Sequence, residues 1–238
     1  MARTAAGLPA GTRITDYISL GVVTSAFPLA DVREVLEQTG KASKRQRDLP
    51  AHVMVYYVIA LALYMQSSCK EVLRCLLEGV RWLAGPGEQI KVTGRGGIAN
   101  ARARIGSEPV KQLHDKLVQP IAVRGAEQTT TGAWYRKWHI VSIDGSTMDV
   151  ADTTDNGEAF GKPKACRGES AYPQIRFVSL VENGTHVLFG TRMAGYDTSE
   201  GALCEAILPR LAPGMLVLAD RNFFSYQRWQ TASATGAD

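Results

Sequence analysis

Two aspartates sit in matching company in this chain. Asp144 follows Ile140-Val141-Ser142-Ile143 and precedes Gly145-Ser146, while Asp220 follows Met215-Leu216-Val217-Leu218-Ala219 and precedes Arg221-Asn222. Runs of this length with little alternation read as strands buried on both faces. Gly145 reads as the turn after the first acid. A carboxylate at the end of a buried strand is costly unless a cation meets it. Two of them on neighbouring strands would converge on one point. Hard cations such as Mg²⁺ take a few carboxylates and leave their other positions to water and phosphate. The pair therefore points to metal-dependent phosphoryl transfer. The plainer alternative makes each acid a local device, Asp144 in a turn and Asp220 as the N-cap of a helix starting near Asn222.

The elements that must position these acids can be read on either side of them. Met148-Asp149-Val150-Ala151-Asp152 follows the first strand, then a loop to about Ser170 carrying Asp155, Glu158, Lys162, Lys164 and Arg167. Gln174–Val181 reads as a strand, Asn183-Gly184 as a type I′ turn, and His186–Met193 as the partner strand. A capping-box pattern at Asp197-Thr198-Ser199-Glu200 opens a helix with Ala202, Leu203, Ala206, Ile207 and Leu211 on its inner face, and Pro213-Gly214 ends it. A crossover through that helix allows the Asp220 strand to lie parallel to the Asp144 strand.

The front half has helical periodicity. Residues 1–13 are small and polar, and disorder is expected there. Leu29–Leu36 reads as a helix with Val32, Val35 and Leu36 on one face and Gly40 as its stop. Lys41, Lys44, Arg45 and Arg47 follow, either as a solvated loop or as phosphate contacts. The helix from Ala51 to about Gln66 is apolar nearly all round, so it belongs at the centre of a bundle. Ser68-Cys69-Lys70-Glu71 is a capping box for the next helix, which Gly85-Pro86-Gly87 ends. Thr93-Gly94-Arg95-Gly96-Gly97 lacks the spacing of a phosphate-binding loop. Ile98–Ile105, carrying Arg102 and Arg104, then Ser107 as N-cap and Val110, Leu113 and Leu117 on one face, are compatible with a helix-turn-helix, a pattern shared with plain bundles. Residues 124–133 read as a linker, which divides the chain into a helical domain, 14–123, and a mixed α/β domain, 134–238.

The composition fits this division. The chain has 238 residues, 45% of them hydrophobic, which suits one large or two small globular domains. Residues 1–133 hold 17 Lys and Arg against 11 Asp and Glu, and residues 134–238 hold 10 against 12, so a basic front precedes an acidic back. That asymmetry suits a polyanionic partner, and equally a solvated surface. Cys69, Cys75, Cys166 and Cys204 form no C-x-x-C pair and read as free thiols of a reducing compartment. No secretory signal is visible, and the longest apolar run, Val53–Met65, is shorter than the ~20 residues that cross a bilayer. A cytoplasmic, nucleoid-associated protein without membrane contact is expected.

The strand order, with an acid on the first and fourth strands, resembles the ribonuclease H-like fold. Ile143-Asp144-Gly145-Ser146 and Leu218-Ala219-Asp220-Arg221-Asn222-Phe223 resemble the first two catalytic blocks of DDE transposases of the insertion-sequence-four group. Ile18-Ser19-Leu20-Gly21-Val22, Leu49-Pro50-Ala51, Glu71-Val72-Leu73-Arg74 and Gly79-Val80-Arg81-Trp82-Leu83 resemble that group's N-terminal helical domain. The resemblance implies DNA cleavage and strand transfer at insertion-element ends, with two Mg²⁺ or Mn²⁺ ions held in part by Asp144 and Asp220. It also implies double-stranded DNA as partner, with Arg102, Arg104, Lys44, Arg45 and Arg47 as candidate contacts. The family's third carboxylate, a Glu in a pattern with Tyr, Arg and Lys, has no match after Asp220. The expectation is a truncated ribonuclease H-like domain, nearly inactive alone, and prone to self-association through apolar surface near Leu216–Ala219. The alternative is a catalytically silent DNA-binding or oligomerising fragment that modulates a full-length transposase.

Overall fold

The computed structural model describes residues 20–45, 49–64, 67–73, 76, 95–165, 168–169 and 172–238. The readings made for residues 1–13, Arg47, Cys75, Gly85-Pro86-Gly87, Thr93, Gly94, Cys166 and Arg167 lie outside them. The backbone divides into two compact units, Met1–Leu113 and His114–Asp238.

The first unit is helical among its described residues. It comprises α1 (Leu20–Ala26), α2 (Leu29–Gln38), α3 (Ala51–Leu63), α4 (Arg95–Ile105) and the first residues of α5 (Glu108–Leu117). α2 buries Val32, Val35 and Leu36, and Gly40 ends it at φ +66°, where the Gly40 and Lys41 amides close on the Glu37 and Leu36 carbonyls. α3 is the central helix that its all-round apolar surface demands, burying Val53 to Tyr57 and Ala60. Its two buried phenols tie down other segments, Tyr56 donating to the Phe27 carbonyl at 2.7 Å and Tyr57 to the Cys69 carbonyl at 3.0 Å. Burial pushes both phenols up to about 12. The Ser68 hydroxyl accepts the Glu71 amide at 3.2 Å, half of the expected capping box. α4 starts three residues before Ile98, through Gly96 and Gly97.

The second unit is α+β. Its elements are β1 (Trp134–Tyr135), β2 (Trp138–Asp149), α6 (Thr154–Phe160), β3 (Lys164–Ala165), β4 (Gly168–Glu169), β5 (Gln174–Glu182), β6 (Leu188–Gly195), α7 (Glu200–Ile207), β7 (Met215–Ala219) and α8 (Tyr226–Ser233). β1, β2, β5 and β6 pair antiparallel in that order, and β7 pairs parallel with β2. The crossover through α7 thus does what was expected of it. One sheet face carries Val141, Ile143, Val178, Leu180 and Phe189, packed against Leu203, Cys204, Ile207, Leu208 and Leu211 of α7 and the turn after it. Cys204 and Leu208 replace Ala202 and Ala206 on the inner face, which the pattern had favoured.

Several local expectations are corrected. Gly145 is not a turn: β2 runs on to Asp149, because its pairing with β5 continues through Met148↔Ile175 and Asp149↔Gln174. β7 is not buried on both faces. Leu218 is 46% exposed, on the face opposite Met215 and Val217, which pack against the core. The loop after Asp152 holds α6, capped by the Thr153 hydroxyl on the Asn156 amide, and the small β3–β4 hairpin. The Asn183-Gly184 turn is longer than two residues. The Glu182 amide meets the Val187 carbonyl, and the loop closes with His186 at φ +61°. Gly184 is needed there for space, because a Cβ would lie 2.5 Å from the Thr131 carbonyl oxygen. That contact also shows why 124–133 is no loose linker: it folds back on itself through Gly125–Gln128 and Thr130–Val123 backbone bonds.

A carboxylate fastens this segment to the sheet. Glu182 is fully buried, and accepts the Ile121 and Ala122 amides at 2.9 and 3.0 Å and the Thr185 hydroxyl. His139 Nε2 lies 2.7 Å from its Oε1, an ion-pair contact without a well-aligned hydrogen bond. Burial pushes the Glu182 carboxyl up, but the Thr185 hydroxyl, the two amides and His139 outweigh it and hold the group below its ordinary 4.5. A depressed carboxyl stabilises the fold above its unfolded-state value and loses that stabilisation as pH falls through the folded one. The thermal midpoint should therefore fall as pH drops below about 4.5. Glu182→Gln should flatten that fall and cost on the order of 1–3 kcal/mol at neutral pH. Melting curves between acid and neutral pH check both. Gly184→Ala should destabilise at every pH through backbone overlap and its φ of +92°, giving a uniform drop in the same melts.

Candidate metal centre

The two acids meet through strand register. His139 to Ile143 of β2 lie opposite Met215 to Ala219 of β7, so the next positions on the two strands are Asp144 and Asp220. Neighbouring strands are ~4.8 Å apart, so the backbones carrying the acids are side by side. Ile143 and Ala219 belong to the packed face, and alternation turns both acids to the other. Asp144 lies midway along β2, at the level where β7 ends. Both acids are exposed rather than desolvated.

Each carboxylate is steered by one backbone amide. Asp144 Oδ1 accepts the Gly145 amide and Asp220 Oδ1 the Asn222 amide, both at 2.8 Å. Asp220 is thus the N-cap of the 3₁₀ turn Arg221–Phe223, as the plainer reading of this residue expected. The second oxygen of each acid has no hydrogen-bond partner among the described residues. Two solvent-exposed carboxylates suit a hard cation such as Mg²⁺, which keeps much of its own water. Among the described residues there is no group of three or more His, Cys, Asp or Glu able to hold an ion, so a closed protein cage is absent there.

Two residues that sequence reasoning did not single out for positioning lock the motifs together. Phe223, three residues after Asp220, is buried, and its ring lies where a Cβ on Gly145 would come within 3.4 Å. The same Cβ would meet the Phe177 carbonyl oxygen and Val178 at 3.3 Å. Glycine after the first acid therefore sits in close contact with the aromatic of the second motif and with β5. The Asp-Gly and Asp-x-x-Phe spacings were visible, but not that one fills the other. Beside Asp144 on the same face, Ser142 donates to Asn183 Oδ1 at 2.8 Å.

The candidate DNA contacts lie in the first unit and behave differently from one another. Lys44, Arg45 and Arg102 are exposed. Arg104 is exposed as well, but its guanidinium lies 3.4 Å from the Leu49 carbonyl. Leu49 lies four residues after Arg45, so Arg104 reaches the backbone just beyond the basic stretch. No helix among the described residues is long and apolar enough to cross a membrane.

Comparison with known proteins agrees with this organisation. Residues 17–115 match the family model for the insertion element 4 transposase N-terminal domain. InsZ of Escherichia coli strain K12, provisionally named a transposase, is 26% identical over 213 residues, covering 89% of this chain and 67% of its own length. The transposase InsG for insertion sequence element IS4, from the same organism, is 25% identical over 197 residues, covering 82% of this chain and 41% of its own. The chain thus spans well under half of that relative. No solved structure gives a significant match. The front of the chain is thus similar to the N-terminal domain of insertion element 4 transposases, and most of its length is similar to two transposases.

Proposed function

We propose that the chain carries part of the catalytic centre of a DNA transposase, with Asp144 and Asp220 as metal-binding acids of a ribonuclease H-like domain. The observation that carries it is register: both acids occupy the next position after five paired residues on adjacent parallel strands. The antiparallel β2–β5–β6 meander with β7 parallel on the other side of β2 supports the fold assignment. The chemistry is cleavage and strand transfer at the ends of an insertion element. Mg²⁺ or Mn²⁺, when bound, would polarise a phosphodiester and favour an ionised nucleophile. The chain's own part is to present two fixed, solvent-facing carboxylates. The Gly145 and Asn222 amides hold each in place, so little reorganisation is needed on binding. The helical unit supplies Lys44, Arg45 and Arg102 as phosphate contacts, with Arg104 bracing the loop they flank.

Asp144→Asn and Asp220→Asn should each weaken Mn²⁺ binding at least about tenfold, a change of ~1.4 kcal/mol, and should remove any Mg²⁺-dependent nicking of labelled element ends. Titration with Mn²⁺ and cleavage with and without chelator measure the two effects. Ion binding that ignores both substitutions would sink the metal-site assignment. DNA binding that persists while nicking never appears would favour the silent, modulating fragment.

Reversing the charge of Arg102 should weaken duplex binding and make it less salt-dependent, because each lost phosphate contact releases fewer counterions. Reversal at Arg104 should also lower the melting temperature, since that side chain reaches the Leu49 carbonyl. Equal behaviour of the two variants would count against the distinction.

A further inference from the structure

The β1–β2 hairpin carries a basic and aromatic surface that the acid pair does not use. Its tip reads Trp134-Tyr135-Arg136-Lys137-Trp138, with Tyr135 opposite Trp138 and Trp134 opposite His139. Cross-strand partners share a face, so the hairpin has two aromatic pairs, one on each side. Trp134 stacks on His139 at 4.7 Å on the packed side, with the Arg124 guanidinium 5.5 Å above it. Tyr135 stacks on Trp138 at 6.4 Å on the other side. There the Arg136 guanidinium sits 5.4 Å over the tyrosine ring and the Lys137 ammonium 4.9 Å over the indole.

Three features separate this tip from an ordinary solvated turn. Arg136 and Lys137 are exposed and make no ion pair among the described residues. Each cation is held over a ring, so less side-chain freedom is lost when an anion binds. Arg136 adopts φ +50°, a conformation better suited to glycine, so a side chain is kept where a smaller residue would be less strained. The nearby acid is Asp238, whose Oδ2 accepts the Trp138 indole N–H at 2.7 Å and so steadies that ring.

Alternation places Trp138, Ile140, Ser142 and Asp144 on one face of β2. The cations over Tyr135 and Trp138 therefore stand on the same face as the acid pair. Six residues of strand, at ~3.3 Å each, put them about 20 Å away. At ~3.4 Å per nucleotide along one strand, that is about six nucleotides. We propose that this hairpin is a DNA-backbone clamp, with Arg136 and Lys137 gripping phosphates about six nucleotides from the phosphodiester that Asp144 and Asp220 address. The clamp rests on the transposase reading for its substrate. Its own claim is which residues hold the DNA and on which face.

The test is binding of a short labelled duplex to the whole chain by fluorescence anisotropy, in chelator, across a range of KCl concentrations. Arg136→Gly with Lys137→Ala should weaken binding and reduce the slope of log K against log salt by about 1.8, the loss of two phosphate contacts at ~0.9 each. The glycine also relieves the positive φ, so the melting temperature should not fall, and lost binding cannot then be lost folding. Arg136→Lys with Lys137→Arg should keep the slope. Tyr135→Ala should weaken binding by a smaller factor while leaving the slope unchanged, since the charges remain. An unchanged slope and affinity in the double variant would overturn the clamp while leaving the acid-pair assignment standing. Lost hairpin binding together with Mn²⁺ affinity indifferent to Asp144 would do the reverse. Absence of salt-dependent duplex binding by the unaltered chain would overturn both.

Discussion

The parallel pairing of β7 with β2 is the constraint on which the second unit depends. Five residue pairs, His139↔Met215 to Ile143↔Ala219, fix a single offset between two stretches far apart in sequence. A slip by one residue would turn every side chain of β7 to the other face. Val217 would leave the packed side, Leu218 would enter it, and Asp220 would no longer stand beside Asp144. The outer edge of β7 shows the same geometry once more. Asp238 donates to the Met215 carbonyl and accepts from the Val217 amide, the bonding pattern of a parallel neighbour.

The register is defended by packing on one side of the sheet. α7 lies on Val178, Leu180 and Phe189, and Phe223 packs on Gly145, so the turn after Asp220 is clamped to the strand that bears Asp144. The other side is exposed and partly apolar, with Met148, Leu188, Met193 and Leu218 between 45% and 55% exposed. Patches of this kind ordinarily mark contact surfaces. The acids and the Tyr135–Trp138 pair of the hairpin lie on that side. The scaffold thus spends its hydrophobic packing on one face and keeps its candidate chemistry on the other.

Glu182 and Asp115 perform a second structural task. Asp115, at the end of α5, receives Arg192 at 2.9 Å and Arg210 at 2.8 Å, and its burial is outweighed by these two guanidinium groups, which hold it below its ordinary value. Glu182 gathers the segment after α5 onto the end of β5. Both are ion contacts with low exposure, where removing one partner leaves a charge unmet. They fasten the strip 115–134 to the sheet and so fix the base of the β1–β2 hairpin.

Much of this could be read from the chain itself. The apolar periodicity of Val32, Val35 and Leu36, the all-round apolar surface of α3 and the cap at Ser68 are local patterns, and local patterns survive folding, although the cap of α7 is Ser199 rather than the Asp197 of the expected capping box. So was the crossover that makes β7 parallel to β2, because a helix between strands leaves few other routes. What only the tertiary structure decided are relations between distant residues. Gly145 looked like a turn because glycine is locally permissive, yet it sits within β2, packed beside Phe223. Residues 124–133 looked like a linker because their composition is polar, yet their backbone finds partners in Val123 and Gly184's loop. Glu182 and His139 carried no signal as a pair, being 43 positions apart in sequence. The identities of Asp144 and Asp220 were legible, but their adjacency, their shared exposed face and the hairpin beside them follow from strand register and alternation. Those are set by which backbone groups pair across the fold, and no single stretch of sequence contains them.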